Sequence, residues 1–229
     1  MVAEHDDEDR AQLLRLAADL QRAYADAVLA GDPRMAETVI REAIEAGLGE
    51  ADIDDQVIAP ALRLVGDLWA DGELSIAEEH AATAISLRVI SLQREAFRAA
   101  RQRASQRVLL AGAQGEQHVV GLQMAASLVL SSGYDVRLLG PDLPVGEVGK
   151  AIDKHDPAVI GFTTASSASA LNLPPAFAAI RDRDPDVGLV VGGRGVDESW
   201  AATWDVVVCH HVADATTQID ALVQRARRN

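Results

Sequence analysis

Apolar residues between Ala11 and Ala30 recur every three or four positions, at Leu13, Leu16, Leu20, Tyr24 and Val28, which predicts an amphipathic helix. Asp32-Pro33 supplies an N-cap carboxylate and a first-turn proline for a second helix, carrying Val39, Ile40 and Ile44 before Gly47 and Gly49 end it. A third helix is expected from Asp52 to Trp69 on Ile53, Val57, Ile58, Leu62, Val65 and Leu68, kinked or restarted at Pro60 and stopped at Asp71-Gly72. Ser75-Ile-Ala-Glu78 has the form of a capping box, so a fourth helix starts there and runs through Ile85, Val89, Leu92 and Phe97 to about Arg101. Four helices with short connections predict a bundle over residues 1–104.

Beyond the polar stretch 101–106 the pattern changes to short apolar runs alternating with helical ones, the mark of an α/β domain with a parallel sheet over residues 105–229. Strands are expected at Arg107 to Gly112, Asp135 to Leu139, Ala158 to Thr163, Gly188 to Val191 and Asp205 to Val208. Five such strands predict a doubly wound, flavodoxin-like sheet with its switch point beside the first strand. A last helix from Asp214 to Arg228 ends in Arg225, Arg227 and Arg228, which suit the negative end of the helix dipole.

Composition narrows the function classes. A net charge of -14, from 35 acidic and 21 basic residues, argues against binding a phosphate backbone. The first ten residues lack the basic-then-apolar order of a secretory leader and no run is long enough to span a bilayer, so a cytoplasmic location is expected. The single cysteine, Cys209, excludes an intrachain disulfide and reads as a small buried hydrophobe.

The candidate chemistry centres on Ala113 to Gly121, between the first strand and the helix expected from Val119 to Leu130. In an open α/β sheet that loop lies at the carboxyl end of a strand, where such folds bind ligands. A helix N-terminus favours a neutral imidazole at His118, leaving a ring nitrogen for a metal while Glu116 holds the other. The spacing Glu116-x-His118-x-x-Gly121 resembles the signature of cobalamin-binding domains, and the resemblance implies His118 as the lower cobalt ligand. It extends to Thr163, whose hydroxyl is expected on the nucleotide tail, and to Ala165, smaller than the pattern expects. It also covers Gly192-Gly193-Arg194-Gly195, whose missing side chains let a bulky tail approach, and Ser169, expected to complete a hydrogen-bond chain through Glu116 to His118.

In the bundle, Trp69 followed by Glu79-His80 resembles the Trp…Glu-His arrangement of CarH-type light-sensing cobalamin proteins, and the polar pair departs from the apolar stretch of corrinoid methyl carriers. The resemblance implies a cofactor-binding sensor rather than an enzyme. Adenosylcobalamin is the expected cofactor, with Trp69, Glu79 and His80 on its upper face, and a homo-oligomer or a downstream protein as the partner. It also implies a stand-alone sensor without the DNA-binding domain of those repressors. The residue after the tryptophan, a histidine in them, is Ala70 here, which leaves room for a second chromophore such as the bilin biliverdin. Arg194, His210 and His211 are its candidate anchors by fold position. Competing readings are a corrinoid methyl carrier for a methyltransferase, and a signalling or nucleotide-binding module without cobalt.

Overall fold

The computed structural model describes residues 2–97 and 106–226, and the chain divides into a helical unit and an α/β unit. The expected boundary at 104/105, the expected end of the fourth helix and Arg227 and Arg228 lie outside the described residues.

The helical unit contains α1 (Val2–Leu29), α2 (Pro33–Glu45), a short α3 (Glu50–Asp52), a π-helical segment (Ile53–Ile58), α4 (Ala59–Ala70) and α5 (Ile76–Phe97). Helix α2 begins where the sequence places it: the Asp32 carboxylate accepts from the backbone N–H groups of Arg34 and Met35, ahead of Pro33 in the first turn. The capping box also forms, with Ser75 N–H donating to Glu78 at 2.8 Å and Glu78 N–H to Ser75 Oγ at 3.3 Å.

The third helix restarts at Pro60, one of the two outcomes expected there: α4 begins at Ala59 with Pro60 in its first turn, and the stretch before it is a short α3 and a π-helical segment rather than ordinary helix. Proline has no N–H for a bond four residues back, and its ring crowds that carbonyl. The widened turn just upstream relieves this, with Ala59 N–H donating five residues back to Asp54 O. The π segment packs on α1 and α4, burying Ile53, Asp54, Val57 and Ile58.

The α/β unit runs β1 (Arg107–Gly112), α6 (Val120–Ser131), β2 (Asp135–Gly140), α7 (Val145–His155), β3 (Val159–Thr163), α8 (Ser167–Ala170), α9 (Leu173–Arg183), β4 (Gly188–Gly192), α10 (Ser199–Trp204), β5 (Val206–Cys209) and α11 (Asp214–Ala226). The strands form one all-parallel sheet in the order β2-β1-β3-β4-β5. Alternate residues point to opposite faces. Leu109, Ile160 and Leu189 meet α7 and α9 through Ile152, Phe177 and Ile180, while Val108, Val159 and Val190 meet α6 and α11 through Leu122 and Ile219. This is the doubly wound sheet the strand runs predict. Among the described residues no helix is long and apolar enough to cross a membrane.

Register positions the site. Gly112, Thr163, Gly192 and Cys209 are consecutive partners across β1, β3, β4 and β5, so four strands end in one row. The loops leaving that row carry nearly all the candidate residues of this unit.

Candidate functional site

His118 lies in the loop between β1 and α6, two residues before the helix starts, with its side chain 73% exposed. Its Nδ1–H donates to Glu116 Oε1 at 2.5 Å, and its backbone N–H donates to the same oxygen at 2.8 Å. Glu116 is buried, and its second oxygen accepts from the backbone N–H of Ala165 and from Ser169 Oγ at 2.8 Å. Burial pushes the Glu116 carboxyl upward, but these four donors outweigh it and hold it below the ordinary glutamate range. The ionised carboxylate keeps the proton on Nδ1, so Nε2 carries the lone pair and faces outward.

Ser169 is itself fixed. Its Oγ contacts Thr164 Oγ1 at 2.7 Å and Ser166 Oγ at 2.9 Å, and Thr164, Ser169 and Glu116 are all buried. The chain from Thr164 through Ser169 and Glu116 therefore reaches His118 without exposed intermediates. Thr164 is absent from the sequence reading, which singles out its neighbour; a run of two threonines and three serines offers no periodicity to tell them apart. Asp142 is also absent from it. This residue follows β2 with φ 52°, accepts from Gly115 N–H at 2.7 Å and from Gln117 Nε2 at 3.2 Å, and so braces the His118 loop.

Thr163 Oγ1 is buried without a hydrogen-bond partner, an orphan hydroxyl at the carboxyl end of β3. Gly121, in the first turn of α6, has open space where a Cβ would stand. The glycines after β4 behave differently from the expectation of a gap for a bulky tail. A Cβ on Gly193 would lie 2.1 Å from Thr164 O, and one on Gly195 2.5 Å from Ser166 O. Their missing side chains let the β3 and β4 loops pack on each other, with Gly195 N–H donating to Thr164 O at 3.0 Å. Gly192 has Cys209 O 3.3 Å from the same position. Arg194 and His211 are exposed, and His210 Nε2 lies 3.2 Å from Glu198 Oε1. Cys209 is buried, and burial pushes its thiol up to about 11.

In the helical unit, Trp69 lies in the last turn of α4 with 48% of its surface exposed. His80 Nδ1 contacts Glu79 Oε2 at 2.6 Å, and Thr83 Oγ1 donates to Glu79 Oε1 at 2.9 Å. This pair repeats the construction of Glu116 and His118: a hydroxyl holds a carboxylate, which holds Nδ1 of a 73% exposed imidazole.

Two family models, both described as B12 binding domain, match residues 20–92 and 106–224. The HTH-type transcriptional repressor CarH of Myxococcus xanthus is 30% identical over 182 residues, 79% of this chain and 57% of that protein. The chain thus spans little more than half the length of that relative. The trimethylamine corrinoid protein of Methanosarcina barkeri is 24% identical over 184 residues, 77% of this chain and 83% of that protein. Among solved structures, the monomethylamine corrinoid protein of Methanosarcina barkeri superposes with a TM-score of 0.76 at 16% identity, over 89% of this chain and 97% of that one, a likeness of fold.

Proposed function

Because this chain belongs to the B12 binding domain family and is a cobalamin-binding protein, we propose that it is a light sensor, with His118 Nε2 as the lower cobalt ligand of adenosylcobalamin. Among the described residues no three His, Cys, Asp or Glu side chains gather to hold a bare ion, so His118 suits a metal that arrives with its own equatorial ligands. The orphan hydroxyl of Thr163 and the open space at Gly121 fit a nucleotide tail, and Ser169 and Glu116 keep the imidazole in the ligating tautomer. When bound, adenosylcobalamin supplies a cobalt–carbon bond that visible light cleaves.

The observation that carries the sensor reading is the exposed Trp69, with the Glu79–His80 pair ten residues on. An indole face suits an adenine ring, and a methyl group has no use for one. A bilin such as biliverdin is proposed as a second chromophore, since Ala70 presents only a methyl group; reconstituted protein should then keep a red-absorbing band through gel filtration.

The second reading is a corrinoid methyl carrier, favoured by the corrinoid relative that matches over most of its length. It uses the same lower-face residues and serves a separate methyltransferase. Green illumination of protein loaded with adenosylcobalamin separates the two. A spectral change accompanied by a shift in elution volume supports the sensor. An unchanged elution volume, together with methyl transfer from methylcobalamin-loaded protein to a thiol by an added corrinoid methyltransferase, supports the carrier.

A further inference from the structure

The core of the helical unit holds buried polar side chains outside the site described above. Asp54, in the π segment, is fully buried. Gln93 of α5, also buried, donates Nε2 to Asp54 Oδ1 at 3.0 Å and to the carbonyl of Glu50 at 3.1 Å. The other ends of this pair, Asp54 Oδ2 and Gln93 Oε1, are buried with no hydrogen-bond partner. Two bare acceptors in a core are costly, and an ionised carboxylate with one oxygen bare is costlier still. A single proton on Oδ2 removes the buried charge and turns one bare acceptor into a donor beside a second.

The surroundings favour that proton. Glu50 from α3 and Asp55 from the same segment place further negative charge on Asp54, and α4 contributes the non-titrating Ala61 and Val65 to the core. From α1, Tyr24 is buried and donates to Ser86 Oγ of α5 at 3.0 Å, and Ser86 Oγ donates to Ala82 O. Burial, then Glu50 and Asp55, raise the Asp54 carboxyl to about 8 against the lowering effect of the Gln93 hydrogen bond.

We propose that Asp54 is a buried proton-binding site, held as the neutral acid against Gln93, and that loss of its proton loosens the π segment that leads into α4. Helix α4 ends at Trp69 and Ala70, so the proton state of Asp54 bears on the helix that carries the exposed indole. The inference concerns the helical unit alone and stands whether or not the chain senses light.

The sign follows from linkage. The unfolded chain releases the Asp54 proton near 3.8 and the folded chain near 8, so the folded state binds more protons between these values and stability falls as pH rises across that window. Asp54→Asn is the neutral mimic, since its amide N–H replaces the acid proton. In thermal unfolding of the full chain, parent and variant should match near pH 4, the variant should gain several degrees over the parent by pH 8, and the gap should be constant above that. A gap independent of pH, or one that favours the parent as pH rises, overturns the proposal. Infrared spectroscopy keeps the test decisive if the variant does not fold. The parent should show a carboxylic-acid C=O band at neutral pH that shifts on deuteration and disappears with a midpoint near 8; absence of such a band at pH 6 overturns it.

Discussion

One oxygen of Glu116 accepts from both the ring Nδ1 and the backbone N–H of His118, so a single buried acceptor fixes the orientation of the imidazole and of the loop that carries it. Glu116→Gln places an amide where donors from His118, Ala165 and Ser169 converge, and at least one donor must then face another. We expect a loss of about 1–3 kcal/mol in urea unfolding of the full chain and a drop in cobalamin affinity of roughly 10-fold to 100-fold. The pH dependence has a definite sign. The folded carboxyl lies below its ordinary 4.5, so its stabilising contribution is present above that value and lost as pH falls through the folded value. The variant should lack this part of the acid destabilisation; an acid limb identical to the parent's contradicts the role given to Glu116.

His118→Ala removes the outward Nε2. The paramagnetic resonance spectrum of the bound cobalt(II) form should then lose the nitrogen coupling of a protein imidazole, and bound cobalamin should wash out more readily. Coupling that persists unchanged in the variant would sink the assignment of His118 as a ligand.

Trp69→Ala tests the upper face. The indole ends α4 half-exposed, so its truncation should cost little stability. Competition titrations should show a reduced preference for adenosylcobalamin over methylcobalamin, with affinity for methylcobalamin kept. Equal preference before and after the substitution removes Trp69 from the adenosyl contact.

Much of this was legible from residue pattern. The four helical segments, the five strand runs and the loop with Glu116 and His118 follow from periodicity and caps, because parallel strands buried on both faces leave short apolar runs. The π segment was not legible. Ile53, Val57 and Ile58 fit an ordinary helix equally well, and only Pro60 marks a disturbance, without saying whether a kink or a widened turn absorbs it. Asp54 is invisible for a related reason: in Asp52-Ile53-Asp54-Asp55 a one-residue change of helical phase decides which carboxylate faces the core. Thr164 lies in a run of hydroxyl residues that no period tells apart, whereas Asp142 and the packing of Gly193 depend on contacts between loops distant in sequence, which no local spacing encodes.

The glycines after β4 separate loop packing from cofactor approach. Gly193 has φ 109°, a conformation that side chains rarely adopt, and the position of its absent Cβ lies 2.1 Å from Thr164 O. Both the backbone strain and the contact act in the protein alone. Gly193→Ala should therefore destabilise the cobalamin-free α/β unit by about 3 kcal/mol, whatever the cofactor does. Gly121→Ala is the contrasting substitution, because its Cβ enters open space in the first turn of α6. It should leave cobalamin-free stability close to the parent's, since alanine is favoured over glycine in a helix, and should lower cobalamin affinity if the tail passes there. Thr164 Oγ1 also bonds Ser169, which bonds Glu116, so a displaced Thr164 backbone should be felt at His118. Proton NMR of the His118 ring in the cobalamin-free protein should then differ between Gly193→Ala and the parent and agree between Gly121→Ala and the parent. A Gly193→Ala protein with parental stability and an unshifted His118 resonance would show that the two loops are not packed as described.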